Sequence, residues 1–156
     1  MTTILVVDDD PRVVRVLRIT LAAHGYTVLT ASDGRAALRR ATESPPAAII
    51  LDCGLPDIDG VEVITQLRRW SCVPIIVFSA RSSRADENRT LGAGADAYVT
   101  KPASTNQLVG QLQAVLHHRD TAHDSALQVG KNPARGTTTP LDTGEEVSLA
   151  ANPFQG

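Results

Sequence analysis

Five short apolar runs, at residues 4–7, 26–31, 48–51, 75–78 and 95–100, recur through the first two-thirds of the chain. Each is four to six residues long and bounded by polar or turn-forming residues, which predicts five strands. Between them apolar side chains return every three or four positions: Val13, Leu17 and Leu21, then Val61, Ile64 and Leu67, then Leu108, Leu112, Val115 and Leu116. That period predicts helices with one buried stripe. Punctuation agrees: Asp10-Pro11 offers an N-cap acid before a first-turn proline, His24-Gly25 a glycine stop, and Ser104 with Gln107 a capping box.

Strict strand–helix alternation requires right-handed crossovers between parallel strands, hence an α/β doubly wound five-stranded sheet with helices on both faces. The first, third and fourth strands are apolar throughout, whereas the second and fifth carry Thr27, Thr30, Asp96 and Thr100. Mixed strands belong at edges, so the expected order is 2-1-3-4-5. Its topological switch point falls between the first and third strands, and α/β proteins bind ligands at the carboxyl ends of strands there.

The acids cluster at that place. Asp8, Asp9 and Asp10 follow the first strand and Asp52 follows the third, while Ser79 ends the fourth and Lys101 the fifth. Crowded carboxylates repel, and oxygen ligands of this kind suit Mg²⁺. A carboxylate nucleophile, a metal, a hydroxyl and an ammonium around one point are what phosphoryl transfer needs. Taken singly, each has a bland reading: Asp10 is an N-cap, Ser79 a loop serine, Lys101-Pro102 a turn. Only one polar group at each of four strand ends makes the case.

Composition narrows the class. With 156 residues, 42% of them hydrophobic, the chain has room for one ordinary domain with a real core. Residues 1–118 carry 12 Lys+Arg against 12 Asp+Glu, so no basic face advertises nucleic-acid binding, and none to DNA is expected from this chain. Cys53 and Cys72 lie outside any metal-ligand spacing, and both read as small buried hydrophobes in a reducing compartment. The N-terminal apolar run is too short for a signal peptide or membrane span, so a cytoplasmic location is expected. His117, His118 and His123 suit a helix C-terminus, and Arg68, Arg69 and Trp70 read as a solvated rim closing the third helix, with the tryptophan folded over apolar surface.

The motifs LVVDDDP, IILDCGLPDIDG, VFSAR and GADAYVTKP, at these intervals, resemble the receiver domain of bacterial two-component response regulators over residues 3–118. The resemblance implies that Asp52 is the phosphoacceptor and that Asp8 and Asp9 form the acidic pair, Asp8 acting mainly through water. It implies that the Gly54 backbone carbonyl completes the Mg²⁺ ligands. Ser79 matches the switch hydroxyl, Lys101 the phosphate-pairing lysine and Tyr98 the switch aromatic. Lys101-Pro102 is where the family uses a cis peptide, Asp59-Gly60 matches the turn starting the third helix and Pro56 the loop before it. The implied role is a switch, not an enzyme beyond weak hydrolysis of its own acyl phosphate: a sensor histidine kinase supplies the phosphoryl group. Ser79 and Tyr98 then bias the surface of the fourth helix, fifth strand and fifth helix.

Within the family the motifs look most like the winged-helix transcription-factor branch of OmpR/KdpE type. Departures are Ala97 for Asp, Ala103 for Phe, and Gln107 and Gln111 for charged residues. The missing charges are those that form the salt bridges of the branch's active homodimer, and their absence puts that dimer in doubt. Residues 119–156 are rich in glycine, proline and threonine and read as a flexible tail, too short for a complete output domain. Within it, residues 125–130 and 143–149 resemble the opening β-hairpin of such a domain, which makes a shortened DNA-binding regulator the main alternative. A Mg²⁺-dependent phosphatase of haloacid-dehalogenase type is the other. Against it, Asp8-Asp9-Asp10-Pro11-Arg12 lacks the threonine of that family's D-x-D-x-T signature.

Overall fold

A computed structural model of the chain describes residues 2–81 and 83–131. The elements are β1 (Thr3–Val7), α1 (Pro11–Ala23), β2 (Thr27–Ala31), α2 (Gly34–Glu43), β3 (Ala48–Leu51), α3 (Gly60–Leu67), β4 (Ile75–Ser79), α4 (Arg84–Ala93), β5 (Ala97–Thr100) and α5 (Thr105–Lys131). The strands form one parallel sheet in the order β2-β1-β3-β4-β5. The predominantly apolar strands β1, β3 and β4 occupy its centre, where side chains are covered on both faces.

Alternation along each strand sorts those side chains into two cores. Leu5, Val7, Ile49, Leu51, Ile75 and Val77 pack against Ala37 and Ala41 of α2 and Val63, Ile64 and Leu67 of α3. Ile4, Val6, Ile50, Ile76 and Val99 pack on the other face against Leu17 and Leu21 of α1 and Leu108 and Leu112 of α5. The α3 stripe is displaced from expectation: Val63 is buried and Val61 only partly covered.

Caps set the helix starts. The Asp10 carboxylate accepts from Arg12 N (2.9 Å) with Pro11 in the first turn, Asp33 from Ala36 N (2.7 Å) and Ser104 Oγ from Gln107 N (3.0 Å). Each satisfies an amide that the helix itself leaves unpaired.

Three expectations are corrected. Helix α5 continues to Lys131, so residues 125–130, read as the start of a hairpin, are helical. No proline or glycine lies between Gln111 and Val129, and a helix already nucleated has nothing there to stop it. The companion stretch 143–149 lies outside the described residues. Cys72 is exposed rather than buried. Arg68 is no solvated rim: its guanidinium donates to Gly94 O (3.1 and 2.8 Å) and Ser71 O (3.2 Å) and meets Asp96 at 3.2 Å. The chain divides into two units, Met1–His117 and His118–Gly156. The site described below lies in the first unit.

Candidate functional site

Sheet pairing runs one residue beyond the strands and sets the backbone of the site. Asp8 N donates to Ala31 O (3.1 Å), Asp52 N to Val7 O (2.9 Å) and Lys101 N to Ser79 O (2.8 Å). Parallel register then brings the carboxyl ends of β1, β3, β4 and β5 side by side.

Carboxylate oxygens of Asp8, Asp9 and Asp52 lie within 4.8 Å of one another. Lys101 Nζ sits 2.7 Å from Asp8 Oδ2 and 3.7 Å from Asp52 Oδ2, over the Phe78 ring with 5.3 Å to its centroid. Asp8 is 3% exposed and Asp52 9%, whereas Asp9 faces solvent. Burial pushes the Asp52 carboxyl above its ordinary range; the Gly54 amide, donating to Oδ1 at 3.2 Å, and Lys101 oppose this, while Asp8 and Asp9 reinforce it. Three acids therefore share one ammonium. The donor set is all oxygen and under-compensated, which fits a hard divalent cation such as Mg²⁺.

The flanking loops are built around this cluster. Gly60 approaches Cys53 so closely that an added Cβ would lie 2.7 Å from the Cys53 Cα, so only glycine lets the start of α3 pack behind the loop that follows β3. Lys101-Pro102 is a cis peptide, as the resemblance implied.

Ser79 is buried at the end of β4, its Oγ accepting from Arg81 N at 3.2 Å. The Tyr98 hydroxyl donates to Arg81 O, and burial pushes its pKa up. The structure thus gathers Asp8, Asp9, Asp52 and Lys101 into one pocket, with Ser79 at its wall. Tyr98, on β5, places its hydroxyl on the Arg81 carbonyl of the loop after β4, beside Ser79. For Gly54 the observed contact is its N–H on Asp52, not its carbonyl.

Two residues went unread in the sequence. Arg81 holds Ser79 and Tyr98 through its backbone, and its guanidinium lies 3.8 Å from Asp59, which Arg89 also meets at 3.5 Å. Asp57 accepts from Gly34 N (2.8 Å) and Arg35 N (2.9 Å), capping α2 from more than twenty residues away. Desolvation opposes its ionisation, but these amides and Ile58 N prevail and hold its pKa low. A side chain capping a distant helix leaves no local spacing to detect; the acid-rich DIDG stretch was the only signal.

The sequence pattern described as the response regulator receiver domain matches residues 4–113. The chain belongs to the response-regulator receiver family. This receiver is 49% identical over 122 residues to the transcriptional regulatory protein KdpE of Mycobacterium tuberculosis, covering 78% of the chain and 54% of that protein. It is 44% identical over 126 residues to the KDP operon transcriptional regulatory protein KdpE of Escherichia coli, covering 80% and 56%. The receiver therefore spans about half the length of the curated relatives it matches. A CheY-like receiver domain protein from Methanospirillum hungatei superposes with a TM-score of 0.75 at 25% identity, over 78% of this chain and 98% of the other. The receiver domain of a sensor histidine kinase from Pseudomonas aeruginosa, with a magnesium ion coordinated in its active-site cleft, gives 0.69 at 33% identity, over 74% and 98%. No helix among the described residues is long and apolar enough to cross a membrane.

Proposed function

We propose that this receiver accepts a phosphoryl group on Asp52 from a phosphohistidine of a sensor kinase. The observation that carries the reading is the convergence of Asp8, Asp9, Asp52 and Lys101 within one pocket at the switch point. A carboxylate oxygen of Asp52 attacks phosphorus, the P–N bond breaks, and its electron pair leaves with the imidazole nitrogen. The product is an acyl phosphate. Lys101, 3.7 Å from the acceptor, is placed to pair with the phosphoryl oxygens once they arrive. Asp8, Asp9 and Asp52, with the Gly54 carbonyl, would hold Mg²⁺, which when bound offsets the negative charge of carboxylates and phosphoryl group together.

Propagation runs through Arg81. The phosphoryl oxygens attract the Ser79 hydroxyl, which then gives up its bond from Arg81 N; the Tyr98 hydroxyl, held on Arg81 O, is released as that loop moves. The two arrangements are states of one equilibrium that phosphorylation biases. The receiver acts as the signal input of a transcriptional regulator, as its relatives' names suggest, without itself contacting DNA. Ala97, Gln107 and Gln111 lack the charges that a salt-bridged dimer of this branch uses on the α4-β5-α5 face, so the phosphorylated chain is expected to sediment as a monomer; a dimer in sedimentation would contradict this.

The deciding experiment is incubation with acetyl phosphate and Mg²⁺ followed by intact-mass measurement. A gain of about 80 dalton, one phosphoryl group, is expected in the native chain and not in Asp52→Asn. A gain that persists in Asp52→Asn assigns the acceptor elsewhere. Steady turnover of small phosphate esters would instead make the protein a phosphatase.

A further inference from the structure

The overall balance of charge conceals a segregation that the fold makes visible. Helix α1 carries Arg12, Arg15 and Arg18 and no acidic residue; α2 carries Arg35, Arg39 and Arg40 with Glu43 alone against them. Arg12 pairs with Asp10 at 3.1 Å. Among the described residues, Arg15, Arg18, Arg39 and Arg40 have no carboxylate within ion-pair distance.

These four arginines line one cleft of about 590 Å³. It lies beside the edge strand β2, with α1 and α2 on opposite faces of the sheet supplying its two walls. Four guanidiniums thus line a single gap that they share with only two carboxylates, Asp8 and Asp9, neither of them in an ion pair with these arginines. Arginine cannot relieve such repulsion by losing its proton, as a lysine could. An anion in the gap would relieve it, and the planar guanidinium fork matches phosphate oxygens in pairs.

Size and shape choose among anions. The volume falls within the range of small-molecule sites, and the cleft is a bounded, solvent-open groove between two helices. Two arginines on each wall call for more than one anionic group. Thr30 and Ser32, between the walls, offer hydroxyls to a sugar or a phosphate. Asp8 and Asp9 also line the cleft and repel an anion beside them, favouring the charged part of a ligand near the arginines.

We propose that the cleft between α1 and α2 binds a small molecule bearing two or more phosphate groups, of the nucleoside polyphosphate class. The cleft adjoins the acidic pocket through Asp8 and Asp9, but Asp52 does not line it, so loss of the Asp52 carboxylate distinguishes the two sites.

The test is calorimetric titration of the full chain with ATP at physiological salt, with EDTA present so that Mg²⁺ cannot bridge the nucleotide to the acidic pocket. The expected result is saturable one-to-one binding, weakened at least tenfold in Arg15→Gln and in Arg39→Gln and unchanged in Asp52→Asn, with adenosine giving no heat. Both arginines are exposed, and acetyl phosphate labelling of the variants checks that they remain folded and competent. Absence of saturable binding, binding indifferent to both arginine substitutions, or loss in Asp52→Asn would each overturn the proposal. So would displacement of ATP by a short DNA duplex that binds more tightly, which would make this face a nucleic-acid surface.

Discussion

At Asp52 the fold places an acid where its charge is disfavoured. Burial raises its pKa relative to the unfolded chain, so ionising it costs native stability. The sign follows: in metal-free buffer the Asp52 contribution weakens folding as pH rises from the ordinary carboxylate range through the raised native value, and stays unfavourable above it. Asp52→Asn therefore stabilises the metal-free protein near neutral pH, by about 1 kcal/mol, and this advantage disappears below about pH 4, where the acid is protonated in both states. Urea denaturation at pH 7.5 and pH 3.5 measures it; an asparagine variant less stable at neutral pH would contradict this account. The neighbouring Cys53 responds in the opposite way to chemistry. Burial, reinforced by Asp59 and Asp52, pushes its thiol up to about 11, so at pH 8 only on the order of 0.1% would be thiolate even if it were reachable. Iodoacetamide at pH 8 should label the exposed Cys72 and spare Cys53 until the protein unfolds. Equal labelling of both in the native state would show that the loop after β3 opens.

At the scale of elements, Arg68 joins the end of α3 to the α4–β5 connection. Its guanidinium holds Gly94 O and Ser71 O, and Asp96, which it meets at 3.2 Å, in turn accepts from Ile75 N at 2.8 Å, at the start of the central strand β4. Gly94 adopts φ +125, where only glycine is unstrained, and an added Cβ would lie 2.9 Å from Arg68 Cγ. Arg68→Ala is expected to cost about 2 kcal/mol, the scale of a charged hydrogen bond lost from a half-buried group. Gly94→Ala should cost about 1–3 kcal/mol through backbone strain. Chemical denaturation measures both, and a change under 0.5 kcal/mol in either would remove the clamp. The same contacts explain what the sequence could and could not disclose. Periodicity exposed the strands, most helix stripes and the sheet order, because burial on one or two faces writes itself locally as period 3.6, period 2 or an unbroken apolar run. The four strand-end residues of the pocket were equally legible, since topology alone places strand ends together. Arg68 was not: nothing in Arg68-Arg69-Trp70 distinguishes the arginine that reaches residue 94 from the one that does not. Asp57 and Arg81 were hidden for the same reason, as their partners lie far away in the chain or on the backbone. Helix α5 overran its expected end because a change of composition was read as a change of structure.

For the molecule as a whole, the decisive quantity is the imbalance of charge that folding creates. Unfolded, Asp52 is tens of residues away from the adjacent pair Asp8 and Asp9; folded, the oxygens of all three lie within 4.8 Å of one another with Lys101 as the nearest cation. A divalent ion that binds this arrangement but not the unfolded chain stabilises the native state by mass action, about 2.7 kcal/mol at a concentration one hundred times its dissociation constant. For a unit of just over one hundred residues, that corresponds to a rise in melting temperature of roughly 10 °C or more. Mg²⁺ at constant ionic strength should produce such a rise, whereas sodium should not, because screening alone leaves the three carboxylates without a ligand-bound charge. Asp9→Asn should abolish most of it while leaving the metal-free protein as stable as before or slightly more so, since Asp9 is exposed and contributes mainly repulsion toward Asp52. The Mg²⁺ effect should fade as pH falls into the ordinary carboxylate range, where protons compete for the ligands. Calorimetric melting across these four conditions decides the matter: a Mg²⁺ shift that survives Asp9→Asn, or that sodium reproduces, would place the ion away from the strand ends and remove the basis for phosphoryl transfer at Asp52.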